Sequence, residues 1–123
     1  MLLGEPGPLI IPAQVTAEID YLIGECIGPH ASRAFIEDLA AARFRVECLL
    51  PDEYDKVADL SEHYGDLGLG VADLSLIVLG ERFDCTRVAT FDERHFRAVR
   101  PLQGGSFTLL PGESWVVAST ARR

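Results

Sequence analysis

A chain of 123 residues, 48% hydrophobic with a mean hydropathy of +0.15, holds enough apolar surface for one core and too little length for two, which excludes a disordered chain and a multidomain one. Its formal net charge is −8, with Lys56 as the one lysine beside ten arginines, the wrong sign for a protein that holds nucleic acid by bulk phosphate attraction. No apolar run approaches the roughly 18 residues that span a bilayer, and MLLGEPGP has no basic segment and meets Glu5 and Pro6 too soon for a secretory signal, so the chain is expected to be soluble, cytoplasmic and free of membrane contact.

PLIIP, Pro8 to Pro12, is a short apolar run between prolines and reads as a brief buried strand. The period then changes. Val15, Ile19, Leu22 and Ile23 form a helical stripe that Gly24 and Gly28-Pro29 stop. Glu18 lies on or beside that apolar face, where a carboxylate is either a flanking side chain reaching water or a functional acid. Ala31 to Arg43 is a second amphipathic helix, Phe44 to Leu50 alternates as a strand, and Pro51-Asp52 opens a third helix from Glu53 to Tyr64. Gly65, Gly68 and Gly70 make a loop, without the spacing or the preceding strand of a phosphate-binding fingerprint.

From Leu74 to Leu79 the only polar side chain is Ser75, so the helix headed by Asp73 is expected to be buried on all sides, with Asp73 where buried structure meets a cleft. RVATF, Arg87 to Phe91, is a short β-type run, and Asp92 after it falls at the carboxyl end of a strand, the end at which open parallel sheets bind ligands. Taken singly, both acids also read as helix caps: Asp73 for its own helix, and Asp92 inside a Thr90–Glu93 capping box that opens a helix from Glu93 to Val99. Phe107 to Leu110 and Trp115 to Val117 are two further strand candidates, and the tail ASTARR is expected to fray. Cys26, Cys48 and Cys85 are too scattered for a metal site or a disulfide framework and read as reduced, mostly buried small hydrophobes. His30, His63 and His95 stand on separate elements without ligand spacing and read as surface or capping residues. Helices alternating with short strands predict one α/β domain over residues 1–123, its mostly parallel sheet covered on both faces.

PAQVTAEIDYLI (Pro12 to Ile23), YGDLGLGVADLSLIVLGERF (Tyr64 to Phe83), VATFDERHFRAVRP (Val88 to Pro101) and FTLLP (Phe107 to Pro111) together resemble the PIN-domain toxins of the VapC family over nearly the whole chain. The resemblance implies a three-layer α/β/α domain and an Mg²⁺-dependent endoribonuclease, with Mn²⁺ as a possible substitute. It also implies a cognate VapB-like antitoxin, an RNA substrate and a homodimer. The family's acids fall on Glu18, Asp73 and Asp92 as metal ligands and catalytic residues, with Asp66 in the glycine-rich approach loop as an accessory acid. Oxygen ligands of this kind suit Mg²⁺, and a metal among carboxylates can activate a water and offset phosphoryl charge. Arg94, Arg97 and Arg100, at helical spacing after Asp92, could meet RNA phosphates or form a solvated helix face.

One departure is plain. The family opens with a strand leading into Asp-x-Ser/Thr, and nothing before Glu18 matches it; Glu5 is the only earlier acid. The chain is therefore expected to be short at its start relative to the family, with the strands at 8–12 and 87–91 either paired with each other or facing a gap. The rival function is a catalytically impaired homologue that keeps antitoxin-binding and dimerising surfaces.

Overall fold

The computed structural model describes residues 2–3, 9–90 and 93–111. Its first strand, β1, is Leu2–Leu3; the second, β2, is Leu9–Pro12 and passes without a loop into the helix α1, Ala13–Cys26. Pro12 suits that junction, since its φ of −59° is already close to helical and the first turn has no use for its missing N–H. Gly28 then takes φ 136°, a region open to glycine, and Pro29 at the first helical position starts α2, Pro29–Ala40. This helix starts and ends earlier than the expected Ala31 to Arg43. Ala42 at φ 57° breaks it, and the Arg43 backbone N–H donates to Asp38 O at 3.0 Å while its guanidinium pairs with the buried Asp38 carboxylate at 2.5 Å.

The strand β3, Arg45–Glu47, is followed by α3, Pro51–His63, which again has proline in its first turn; the Glu53 carboxylate accepts from the Leu50 N–H at 2.8 Å and satisfies one of the orphan donors there. A 3₁₀ turn at Gly65–Leu67 leads to α4, Val71–Arg82; then come β4, Arg87–Thr90, α5, Glu93–Arg97, and β5, Thr108–Pro111. The helix α5 stops short of the expected Val99. The candidate strand at Trp115 to Val117, the tail, and the Thr90–Glu93 capping box through Asp92 lie outside the described residues.

The sheet has the order β3-β2-β1-β4-β5. The pairs β2–β3 and β4–β5 are parallel, and β1 is antiparallel to both of its neighbours, with Leu2 opposite Ile10 on one side and Val88 on the other. Four of the five strands therefore point one way, and the sheet is mostly parallel as expected. The strands at 8–12 and 87–91 neither pair with each other nor face a gap, which corrects the expectation: Leu2–Leu3 fills the slot between them. Its direction follows from length. Only residues 4–8 separate β1 from β2, and a parallel crossover needs about a dozen residues or more. Glu5, the only acid before Glu18, belongs to that outside stretch.

Side chains on the two faces of the sheet divide with the period of two that a pleated strand imposes. Leu2, Ile10 and Val88 join Leu49, Val57, Leu60, Leu74, Ile77 and Phe96 in one core under α3, α4 and α5. Ile11 and Ala89 join Val15, Ile19, Ile23 and Phe35 in the other, under α1 and α2. The result is a three-layer α/β/α arrangement. Every residue of α4 from Leu74 to Gly80 is buried, as its all-round apolarity requires. Of the cysteines, Cys85 is buried but Cys26 and Cys48 are exposed, contrary to the expectation for the latter two; all three are free thiols. Among the described residues no helix is long and apolar enough to cross a membrane.

Candidate active site

α1 buries Val15, Ile19 and Ile23 at successive turns, so Glu18, one residue before Ile19, stands at the edge of the buried stripe rather than inside it. It is exposed, yet it lines a cleft. The cleft lies at the carboxyl end of β4, where the two cores meet. Among the described residues, Val15, Glu18 and Ile19 of α1 form one wall, Asp73 and Leu76 of α4 the other, and Ala89 and Thr90 of β4 line the cleft between them; its empty volume is about 350 Å³, part of it continuous with solvent. Glu18 and Asp73, far apart in sequence, are thus brought to one place.

Asp73 does not cap its helix. The N-cap of α4 is Gly70, which has no side chain to offer, and Asp73 is the third residue inside the first turn. A carboxylate there is favoured by the positive end of the helix dipole and by first-turn N–H groups that lack partners within the helix. The half-buried Asp73 is thereby suited to be an anion facing a cleft.

Among the described cleft-lining residues, two carboxylates with no thiolate or imidazole make a donor set of hard oxygens, which suits Mg²⁺ or Mn²⁺ better than Zn²⁺. Among the described residues no group of three or more His, Cys, Asp or Glu side chains is placed to hold a metal ion. The third expected ligand, Asp92, lies outside them; in sequence it follows the cleft-lining Thr90 by two positions. Asp66, in the 3₁₀ turn, is exposed and is not one of the cleft-lining residues. Arg94 and Arg97 are exposed on α5, and His30 and His63 are exposed on their separate helices.

Thr90 is a cleft residue whose place in the sequence marks it only as part of a capping box. It is 9% exposed, and a hydroxyl at the last position of a buried strand, next to a candidate acid, was the signal available. A second polar cluster had no such signal. Arg82, in the last turn of α4, donates from Nε to Glu53 Oε2 at 3.0 Å, from Nη1 to Glu47 Oε2 at 3.2 Å and from Nη2 to Cys48 O at 2.8 Å, and Nη2 also bonds Glu53 Oε1. This cluster ties α4 to β3 and α3, and none of its residues lines the cleft.

Residues 2–101 match the model of the PIN-domain family. Over 103 residues, 84% of this chain and 76% of the relative, the sequence is 34% identical to ribonuclease VapC26 of Mycobacterium tuberculosis.

Proposed function

The chain belongs to the PIN-domain family, among its VapC-type members, and from that premise we propose that it is a metal-dependent endoribonuclease toxin held in check by a VapB-like antitoxin. One observation carries the reading: Glu18 of α1 and Asp73 of α4 line a single cleft at the carboxyl end of β4, the end of an α/β sheet at which ligands bind. In the proposal Glu18 and Asp73, with Asp92 from beyond the strand end, hold Mg²⁺, or Mn²⁺ in its place. Such an ion, when bound, lowers the pKa of a coordinated water and offsets charge on the phosphoryl oxygens. Val15, Ile19, Leu76 and Ala89 keep one side of the acids apolar, which strengthens the attraction between carboxylate and cation relative to bulk water. Arg94 and Arg97 steady RNA phosphates from α5. Asp66, outside the cleft lining, contributes only negative potential along the approach. The same kinship supports a homodimer and a cytoplasmic place of action for this one-domain chain.

The test is cleavage of RNA by the wild type, Asp73→Asn and Glu18→Gln, with Mg²⁺ or Mn²⁺ and with chelator. Loss of a residue that merely orients a metal ligand costs 10- to 100-fold, so loss of a ligand should lower cleavage by more than about 100-fold. Circular dichroism should be unchanged in Asp73→Asn, since the helix keeps its Gly70 cap. Equal cleavage by wild type and variants would assign the activity to a contaminant or to another site. A second reading, an impaired homologue that acts by binding, is favoured by the middle strand, which contributes Leu2 and Leu3 and no carboxylate between β2 and β4. Metal-stimulated cleavage that disappears in Asp73→Asn would reject it.

A further inference from the structure

We propose that Tyr21 and Tyr54 are base-stacking residues that grip single-stranded RNA on either side of Glu18 along α1. The proposal rests on the ribonuclease reading above and adds to the phosphate contacts of Arg94 and Arg97 a source of RNA affinity that does not depend on charge. Gln14, Glu18 and Tyr21 recur at i, i+4 and i+7 along α1 and so share one face of it. Glu18, in the middle, lines the cleft. One turn toward the carboxyl end of the helix, Tyr21 is 67% exposed, the most open of the large hydrophobic side chains described. One turn toward the amino end, Gln14 Nε2 donates to the Tyr54 hydroxyl at 3.1 Å, which tethers a ring of α3 that is itself 48% exposed. Gln14 and Tyr21 stand about 10 Å apart along the helix axis, with Glu18 between them. The two rings therefore flank the acid rather than meet each other.

Charge decides what such rings are suited to hold. With a net charge of −8 and no Lys, Arg or His among the described cleft-lining residues, attraction for phosphate within the cleft is weak, and the contacts proposed for Arg94 and Arg97 supply only part of the binding. Stacking of a base on an aromatic face does not depend on the sign of the protein's charge and tolerates any base. In a duplex the bases are stacked on one another and their faces are closed, so the substrate class that fits is single-stranded RNA, with one base on each tyrosine and the backbone between them crossing the acids.

The experiment measures binding of fluorescein-labelled single-stranded and hairpin RNA by the full chain carrying Asp73→Asn, so that RNA is bound without being cut. Tyr21→Ala, Tyr21→Phe and Tyr54→Ala are then added to that parent. Each alanine change should weaken single-strand binding about 5- to 100-fold, the effect of losing one stacked base. Tyr21→Phe should stay within about twofold of the parent, because phenylalanine keeps the stacking face. The slope of affinity against salt should not change, because no phosphate contact is removed. In the Asp73 wild-type background the alanine variants should raise KM far more than they lower kcat. Alanine variants that bind like the parent, or a phenylalanine variant as weak as alanine, would overturn the stacking and leave the ribonuclease reading standing. A chain that neither binds nor cuts RNA would overturn both, and variants that keep RNA binding but lose a protein partner would assign the tyrosines to that partner.

Discussion

Glu53 is 6% exposed, and burial alone would push its carboxyl pKa up. The hydrogen bonds from Arg82 outweigh that and hold it below the ordinary carboxylate range, with the Leu50 N–H adding to the same effect. Because the folded pKa lies below the unfolded one, the group's contribution to stability is whole above its ordinary value, near 4.5, and is lost as pH falls from there through the lowered folded value. Arg82→Met should therefore destabilise at neutral pH. Breaking a fully buried pair costs about 3 to 5 kcal/mol, and the Arg82 side chain is 24% exposed, so a loss of about 2 to 3 kcal/mol is expected. Thermal melts of wild type and Arg82→Met between pH 7 and pH 3 should converge at the acid end, and a constant gap would show that the arginine acts through packing alone. Glu18 and Asp73 could be singled out from sequence because each breaks a local pattern, an acid beside an apolar stripe and an acid heading an apolar helix. Glu53 and Arg82 break none. Each is an ordinary charge at a helix end, and only the packing of α3 on α4 makes them partners.

At the scale of elements, α4 is where local preference and packing conflict. Gly80 lies inside this helix, and by propensity alone alanine there would gain up to about 1 kcal/mol. A Cβ at Gly80, however, would meet the backbone carbonyl of Cys85 at 2.9 Å and Leu2 Cδ2 at 3.8 Å. The first of these cannot yield by rotating a side chain, and overpacking of this sort costs typically 1 to 3 kcal/mol. Gly80→Ala should thus lower the urea midpoint, and a raised midpoint would mean that the turn at Asp84, φ 49°, gives way freely. The burial of α4 was legible because no face of it is polar. Its glycine was not, since the reason for it is a carbonyl on the chain that leads into β4. The same limit explains the helix ends: Gly28 and Pro51 read as a stop and a start, but an alanine at φ 57° that ends α2 has no sequence signature.

The whole molecule depends on how β2 and β4 are spaced, because Glu18 follows the first, and Thr90 ends the second. What sets that spacing is β1. An empty slot between the two strands would leave buried N–H and C=O groups unpaired at about 1 to 3 kcal/mol each, which is the physical reason that the expected gap is closed by β1; sequence could not say that two leucines running backwards would fill it. Leu2 is 0% exposed and lies across from both Ile10 and Val88. Leu2→Ala should cost about 2 to 5 kcal/mol, the range for a leucine truncated in a close-packed core. If β1 also positions the acids, the variant should lose affinity for Mn²⁺ beyond what partial unfolding explains. Val57→Ala is the matched control, a truncation in the same core on α3, with no residue of that helix lining the cleft. Calorimetric titration with Mn²⁺ well below both melting temperatures separates the cases. Weaker binding in Leu2→Ala alone would make the short central strand the support of the cleft, whereas equal binding in the two variants would confine β1 to holding the sheet together.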